Sequence, residues 1–156
     1  MTPSQTLADY YQPTYRVIHR QLDGLTHEDS IIQPPYRGNC LNWVLGHVVF
    51  NREVVLKYLG EELPWTEEEA ARYKRNSEPI TGVEQALPLE RLLGDLEESQ
   101  KRILAGLERI SEEKLAALVD DDTVGEKITF AHWHETYHIG QLEQLRQLAG
   151  KNDKVI

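Results

Sequence analysis

Residues 130–149 read FAHWHETYHIGQLEQLRQLA. An α-helix advances about 100° per residue, so His134 and His138 point within about 40° of each other, one turn apart. With His134 at zero on the same wheel, Gln141, Leu145 and Leu148 all fall within roughly 40° of that line, so the histidine pair rides on an apolar stripe. The segment from about Phe130 to Ala149 is therefore expected to be a helix, with Thr129 as its cap, Gly150 as its stop and both histidines turned inward.

A helix with one apolar stripe must bury it, and three more segments offer matching stripes. The first, from about Ser4 to Leu25, carries Leu7, Tyr11, Tyr15, Ile18 and Leu22. The second covers about Leu41 to Leu59 and ends at Gly60. The third starts at Pro88 and carries Leu89, Leu92, Leu93, Leu96, Ile103, Leu104, Leu107 and Ile110. Pro34, Pro35 and Gly38 break the chain between the first two. A polar connection from Glu61 to Leu87 holds Pro64, Pro79 and Gly82, with one short helical turn expected in TEEEAARYKR, and is expected to serve as a lid. The stretch from Ser111 to Thr129 reads as a loop whose acidic run, Asp120 to Asp122, is a solvated turn. No strand alternation and no internal repeat stand out. The expected architecture is an all-α four-helix bundle with long crossover connections, one domain over residues 1–156.

Composition narrows the function. The 26 acidic residues outnumber the 17 basic ones and give a net charge of -9, which excludes nucleic acid and anionic lipid as main partners. Apolar runs such as Val48-Val49-Phe50 are too short to span a bilayer, and the opening MTPSQTLADYY pairs no basic start with an apolar run, so the cytoplasm is the expected location. Cys40 is the single cysteine. It allows no internal disulfide or Cys-based zinc site, lies about 10 Å along the helix axis from His47, and is expected to be a small buried hydrophobe.

His47 shares the inward side of the second helix with Trp43, Val44, Asn51, Val54 and Tyr58. Three imidazoles from two helices can meet in a bundle core, and such a set leaves coordination positions open, as in catalytic rather than structural sites. His47, His134 and His138 are accordingly the expected ligands of one divalent transition metal ion. Zinc and nickel are the leading candidates, with iron also compatible with imidazole. His132 lies about 160° from the stripe, and His19 and His27 have no partner, so these three are assigned to surface or loop. Gln100 interrupts the leucine stripe of the third helix, either as a polar group facing the site or as a water-satisfied core amide. Candidate substrate contacts are Tyr11, Tyr15, Asn51, Gln100 and Gln141.

Residues 134–138 also match the H-E-x-x-H pattern of zinc metalloproteases. The extended pattern fails, because Gln141 and Gln144 stand where Gly and His belong. Glu143 points about 140° away from His138 and cannot supply a third ligand. Glu135, about 100° from His134, is expected to face a neighbouring helix or solvent rather than the metal.

Two motifs, Asn42-Trp43-Val44-Leu45-Gly46-His47 and His134-Glu135-Thr136-Tyr137-His138-Ile139-Gly140-Gln141, resemble those of the DinB/YfiT-like superfamily of metal-binding four-helix bundles. The resemblance extends over essentially the whole chain and implies the same three-histidine ligand set. It implies a metal-dependent thiol S-transferase that activates a low-molecular-weight thiol against a small-molecule substrate. A metal-dependent hydrolase activating water, or a non-catalytic small-molecule-binding or stress-response protein, stands as the alternative. It further implies a homodimer, for which Trp133 and Ile139 lie away from the ligand stripe. The linear sequence shows no basic patch for such a thiol.

Overall fold

The computed structural model of the protein describes residues 2–62 and 64–156. Four long helices form the bundle: α1 (Ser4–Leu22), α3 (Leu41–Tyr58), α5 (Leu89–Arg109) and α7 (Val124–Leu148). Short helices fill the connections, namely α2 (His27–Ser30), α4 (Glu67–Arg72), a single 3-10 turn at Val83–Gln85, and α6 (Glu112–Ala116). Both α3 and α1 pack against α5 and against α7, so α1 and α3 sit on one diagonal and α5 and α7 on the other. Leu7, Ile18, Leu45, Leu56, Leu92, Leu96, Ile103, Ile128 and Leu142 are wholly buried between them, which is where the apolar stripes should meet.

Two boundaries differ from the sequence reading by several residues, each for a local reason. Helix α1 stops at Leu22 rather than Leu25, because Gly24 takes a left-handed conformation at φ +69°. The last helix begins at Val124, well before Phe130. Thr123, not Thr129, is its cap: the Thr123 hydroxyl accepts from Glu126 N–H, and the Glu126 carboxylate accepts from Thr123 N–H at 2.8 Å. Thr129 lies inside the helix and donates to the Gly125 carbonyl at 2.7 Å. Just before it, β1 (Leu118–Val119) and β2 (Asp122–Thr123) form a two-residue antiparallel ladder. Asp120, at φ +57°, and Asp121 make its exposed turn.

At the bundle centre all four long helices meet around one cation. Arg52 of α3 is 1% exposed and grips Glu135 of α7 through Nε at 2.7 Å and Nη2 at 2.8 Å. Its Nη1 donates to Gln100 of α5 at 3.0 Å, and its guanidinium stacks over the Tyr11 ring of α1 at 5.6 Å. A buried charge is tolerated only when paired and hydrogen-bonded, and this one is both. No described helix is long and apolar enough to cross a membrane.

Candidate metal centre

His47, His134 and His138 converge, each offering one ring nitrogen within 4.8 Å of the others. Their rings stand 4.5 to 5.2 Å apart and roughly perpendicular, at 71° to 79° to one another. His138 Nε2 lies 3.2 Å from His134 Nε2. Zinc–imidazole bonds of about 2.0–2.1 Å at a tetrahedral angle separate two donors by about 3.3 Å, so the pair is already spaced for one ion.

Hydrogen bonds at the opposite ring edges aim these nitrogens. His47 Nδ1–H donates to the Tyr73 carbonyl at 2.6 Å. That oxygen can only accept, so the proton sits on Nδ1 and Nε2 keeps its lone pair. His138 Nδ1–H donates to Gln141 Oε1 at 2.7 Å, with the same result.

Tyr73 also explains the motif around His47. Its phenol donates to Asn42 Oδ1 at 2.9 Å and accepts from Leu87 N–H at 2.8 Å. Its ring lies directly on Gly46, where any Cβ would collide with it. Asn42, Gly46 and His47 are thus spaced along α3 to hold the phenol, the ring and the carbonyl of one wholly buried tyrosine. Burial pushes the Tyr73 hydroxyl up to about 12, so it stays a neutral donor. The connection from Glu61 to Leu87, expected to be a lid, is instead fastened to α3 at this point.

The ligands are electrically ready. Burial lowers the basicity of all three histidines; the nearby Arg75 charge adds to this at His134, and His138 falls to about 4. Neutral imidazoles at pH 7 are what a divalent ion requires.

The family model described as the DinB superfamily matches residues 11–142. The chain belongs to the DinB superfamily. Its fold is similar to that in "Crystal structure of the conserved protein of locus from Enterococcus faecalis", with a TM-score of 0.74 at 20% identity, over 97% of this chain and 99% of that one. No curated protein matches this DinB-superfamily chain.

The other sequence candidates divide by location. Asn51 lines an apolar cavity of about 290 Å³ that reaches His47 and His134, and its Nδ2 donates to the His47 carbonyl at 2.7 Å. Gln141 orients His138 as described. Tyr11 and Gln100 are corrections: both belong to the Arg52 cluster, and neither lines a cavity at the histidines. Tyr15 does not line one either; it packs against the core beside His19. Glu135, 3% exposed, faces Arg52 on the neighbouring helix. Cys40 is wholly buried, and burial raises its thiol pKa, so it is no nucleophile.

Trp133 is exposed beside the site, whereas Ile139 packs against the core. His132, assigned to the surface, is half-buried: its ring stacks on Tyr10 and meets Tyr11 edge-on, each at 5.2 Å.

Four residues of the bundle centre and the site escaped the sequence reading. Arg52 was hidden by its charge on an otherwise apolar face, and Tyr73 lies in a connection without periodicity. Arg75 and Lys127 are far apart in sequence, yet both line the 290 Å³ cavity.

Proposed function

We propose that this protein is a metal-dependent thiol S-transferase, with His47, His134 and His138 holding zinc or nickel, or iron in their place. The observation that carries the reading is the convergence of three neutral imidazoles, their lone pairs unshared with any carboxylate, at the edge of an apolar cavity. A divalent ion there supplies the positive charge that keeps a thiol deprotonated at neutral pH, where a free thiol of pKa near 8.5 is mostly protonated.

The protein contributes geometry and dielectric. The Tyr73 carbonyl and Gln141 fix two rings, three neutral ligands leave the ion's charge undiminished, and Phe50, Val54 and Phe130 give the cavity apolar walls. In the reaction the thiol sulfur forms a bond to an electrophilic carbon while the bond to the leaving group breaks. The thiol proton passes to solvent, and the leaving group departs with its electron pair. Locking of Glu135 by Arg52 weighs against the protease reading, because the base that such enzymes use is turned away from the site.

The test is incubation of metal-loaded protein with an epoxide or alkyl halide, with and without a panel of thiols. Thiol-dependent conjugate is expected from the wild type and not from His138→Ala. Thiol-independent hydrolysis would establish water as nucleophile. No turnover with any metal or thiol would replace the enzyme by a binding protein. A homodimer belongs to the same proposal, and light scattering at micromolar concentration decides it: a dimer mass supports it and a monomer mass removes it.

A further inference from the structure

We infer that the metal-site cavity carries an anion subsite, built on Arg75 with Lys127 as second cation, and that it takes small molecules joining a carboxylate to an apolar body. This rests on the cavity described above and names the class of molecule that enters it. A second cavity of about 460 Å³ adjoins the first and is lined by Trp43, Arg75, Trp133, Tyr137 and all three histidines. The chain has 26 acidic residues against 17 basic ones, yet among the described residues no carboxylate lines either cavity. The charged residues that do line them are Arg75, shared by both, and Lys127. In a protein of net charge -9, that local inversion of sign is a selective feature.

The two cations are not equivalent. Lys127 is partly neutralised by Asp122 at 2.9 Å. Arg75 has no carboxylate partner within 4.0 Å among the described residues, so its guanidinium fork is free for a planar, two-oxygen anion.

The segment that carries Arg75 is also held in place. Tyr73 is pinned to Asn42 and His47; Trp43 Nε1–H donates to Ser77 Oγ at 2.8 Å, and the Ser77 hydroxyl donates to the Arg72 carbonyl at 2.8 Å. Asn76 closes the turn at φ +66°, a conformation asparagine tolerates. A cation on so fixed a backbone, beside walls of Phe50, Val54 and Phe130, matches an amphiphile with one anionic end.

The test measures binding, not turnover. Isothermal titration calorimetry reads occupancy, because no tryptophan among the described residues lines the 290 Å³ cavity. Phenylbutyrate and its neutral amide are titrated into the full chain, zinc-loaded and metal-stripped, for wild type and Arg75→Gln. Arg75 is exposed, so the substitution leaves the core intact. The expected result is that Arg75→Gln weakens the carboxylate about tenfold in both metal states and leaves the amide unchanged. Lys127→Gln should cost about threefold, since Asp122 already offsets that charge. No saturable binding of phenylbutyrate, or an Arg75→Gln effect missing from either metal state or equal for carboxylate and amide, would overturn the inference. Absence of thiol transfer would sink the proposed reaction and leave this binding result standing.

Discussion

His138 is held at both ends of its ring, by Gln141 on Nδ1 and by the converging His134 nitrogen at Nε2. Its lowered pKa fixes the sign of the pH dependence. A histidine with a folded value of about 4 and an unfolded value near 6.5 binds fewer protons when folded anywhere between those limits. Metal-free protein should therefore lose stability as pH falls from about 6.5 toward about 4, and metal should be retained at pH 6 and released as pH approaches about 4. Thermal melts and metal content from about pH 4 to about pH 8, a range that contains both values, check this. Release already complete at pH 6 would contradict it.

Glu135 gives the second residue-scale prediction. Glu135→Gln leaves Arg52 buried without its counter-charge and should destabilise the fold by about 3–5 kcal/mol in denaturant melts. Replacing both partners, Arg52→Met with Glu135→Leu, should cost less than the single change. Turnover per folded, metal-loaded molecule should fall by less than about tenfold. A loss of about 10²–10⁴ would mean that Glu135 is a general base after all.

At the scale of elements, α3 does two tasks with one face. Asn42, Gly46 and His47 secure Tyr73, and through it a connection that carries Arg75 to the cavity. Gly46→Ala would push the Tyr73 ring away and take its carbonyl from His47. It should cost about 1–3 kcal/mol of stability and weaken zinc binding about 10–100-fold. Competition with a chelator measures the second effect, and an unchanged zinc affinity would show that Tyr73 does not orient His47.

Helices α1 and α5 were legible from clear 3.6-residue stripes, α3 from a run that is apolar on nearly every side and stops at Gly60, and α7 from the i, i+4 histidine pair with Leu142 and Leu145 following at helical spacing. The true start of α7 was also written in the sequence, as Thr123 three residues before Glu126, but Thr129 offered a competing cap nearer the histidines. Tyr73 and Arg75 were not legible, because their roles arise only once a non-periodic connection is laid against α3.

For the whole molecule, the arrangement of α1 and α3 across α5 and α7 brings the three ligands from two helices to one point, while Arg52 ties all four together deeper in the bundle. An ion that binds only this assembled form must stabilise it. At free zinc about 100 times Kd the gain is about 2.7 kcal/mol, or a rise of roughly 5–10 °C in Tm for a chain of this length, absent in the histidine variants.

The most direct test of the three-histidine centre is the X-ray absorption spectrum of zinc-loaded protein. Three imidazole nitrogens at about 2.0–2.1 Å are expected in the wild type, and one fewer, with weaker binding, in each of His47→Ala, His134→Ala and His138→Ala. A spectrum dominated by sulfur or carboxylate ligands, or one left unchanged by all three substitutions, would contradict it.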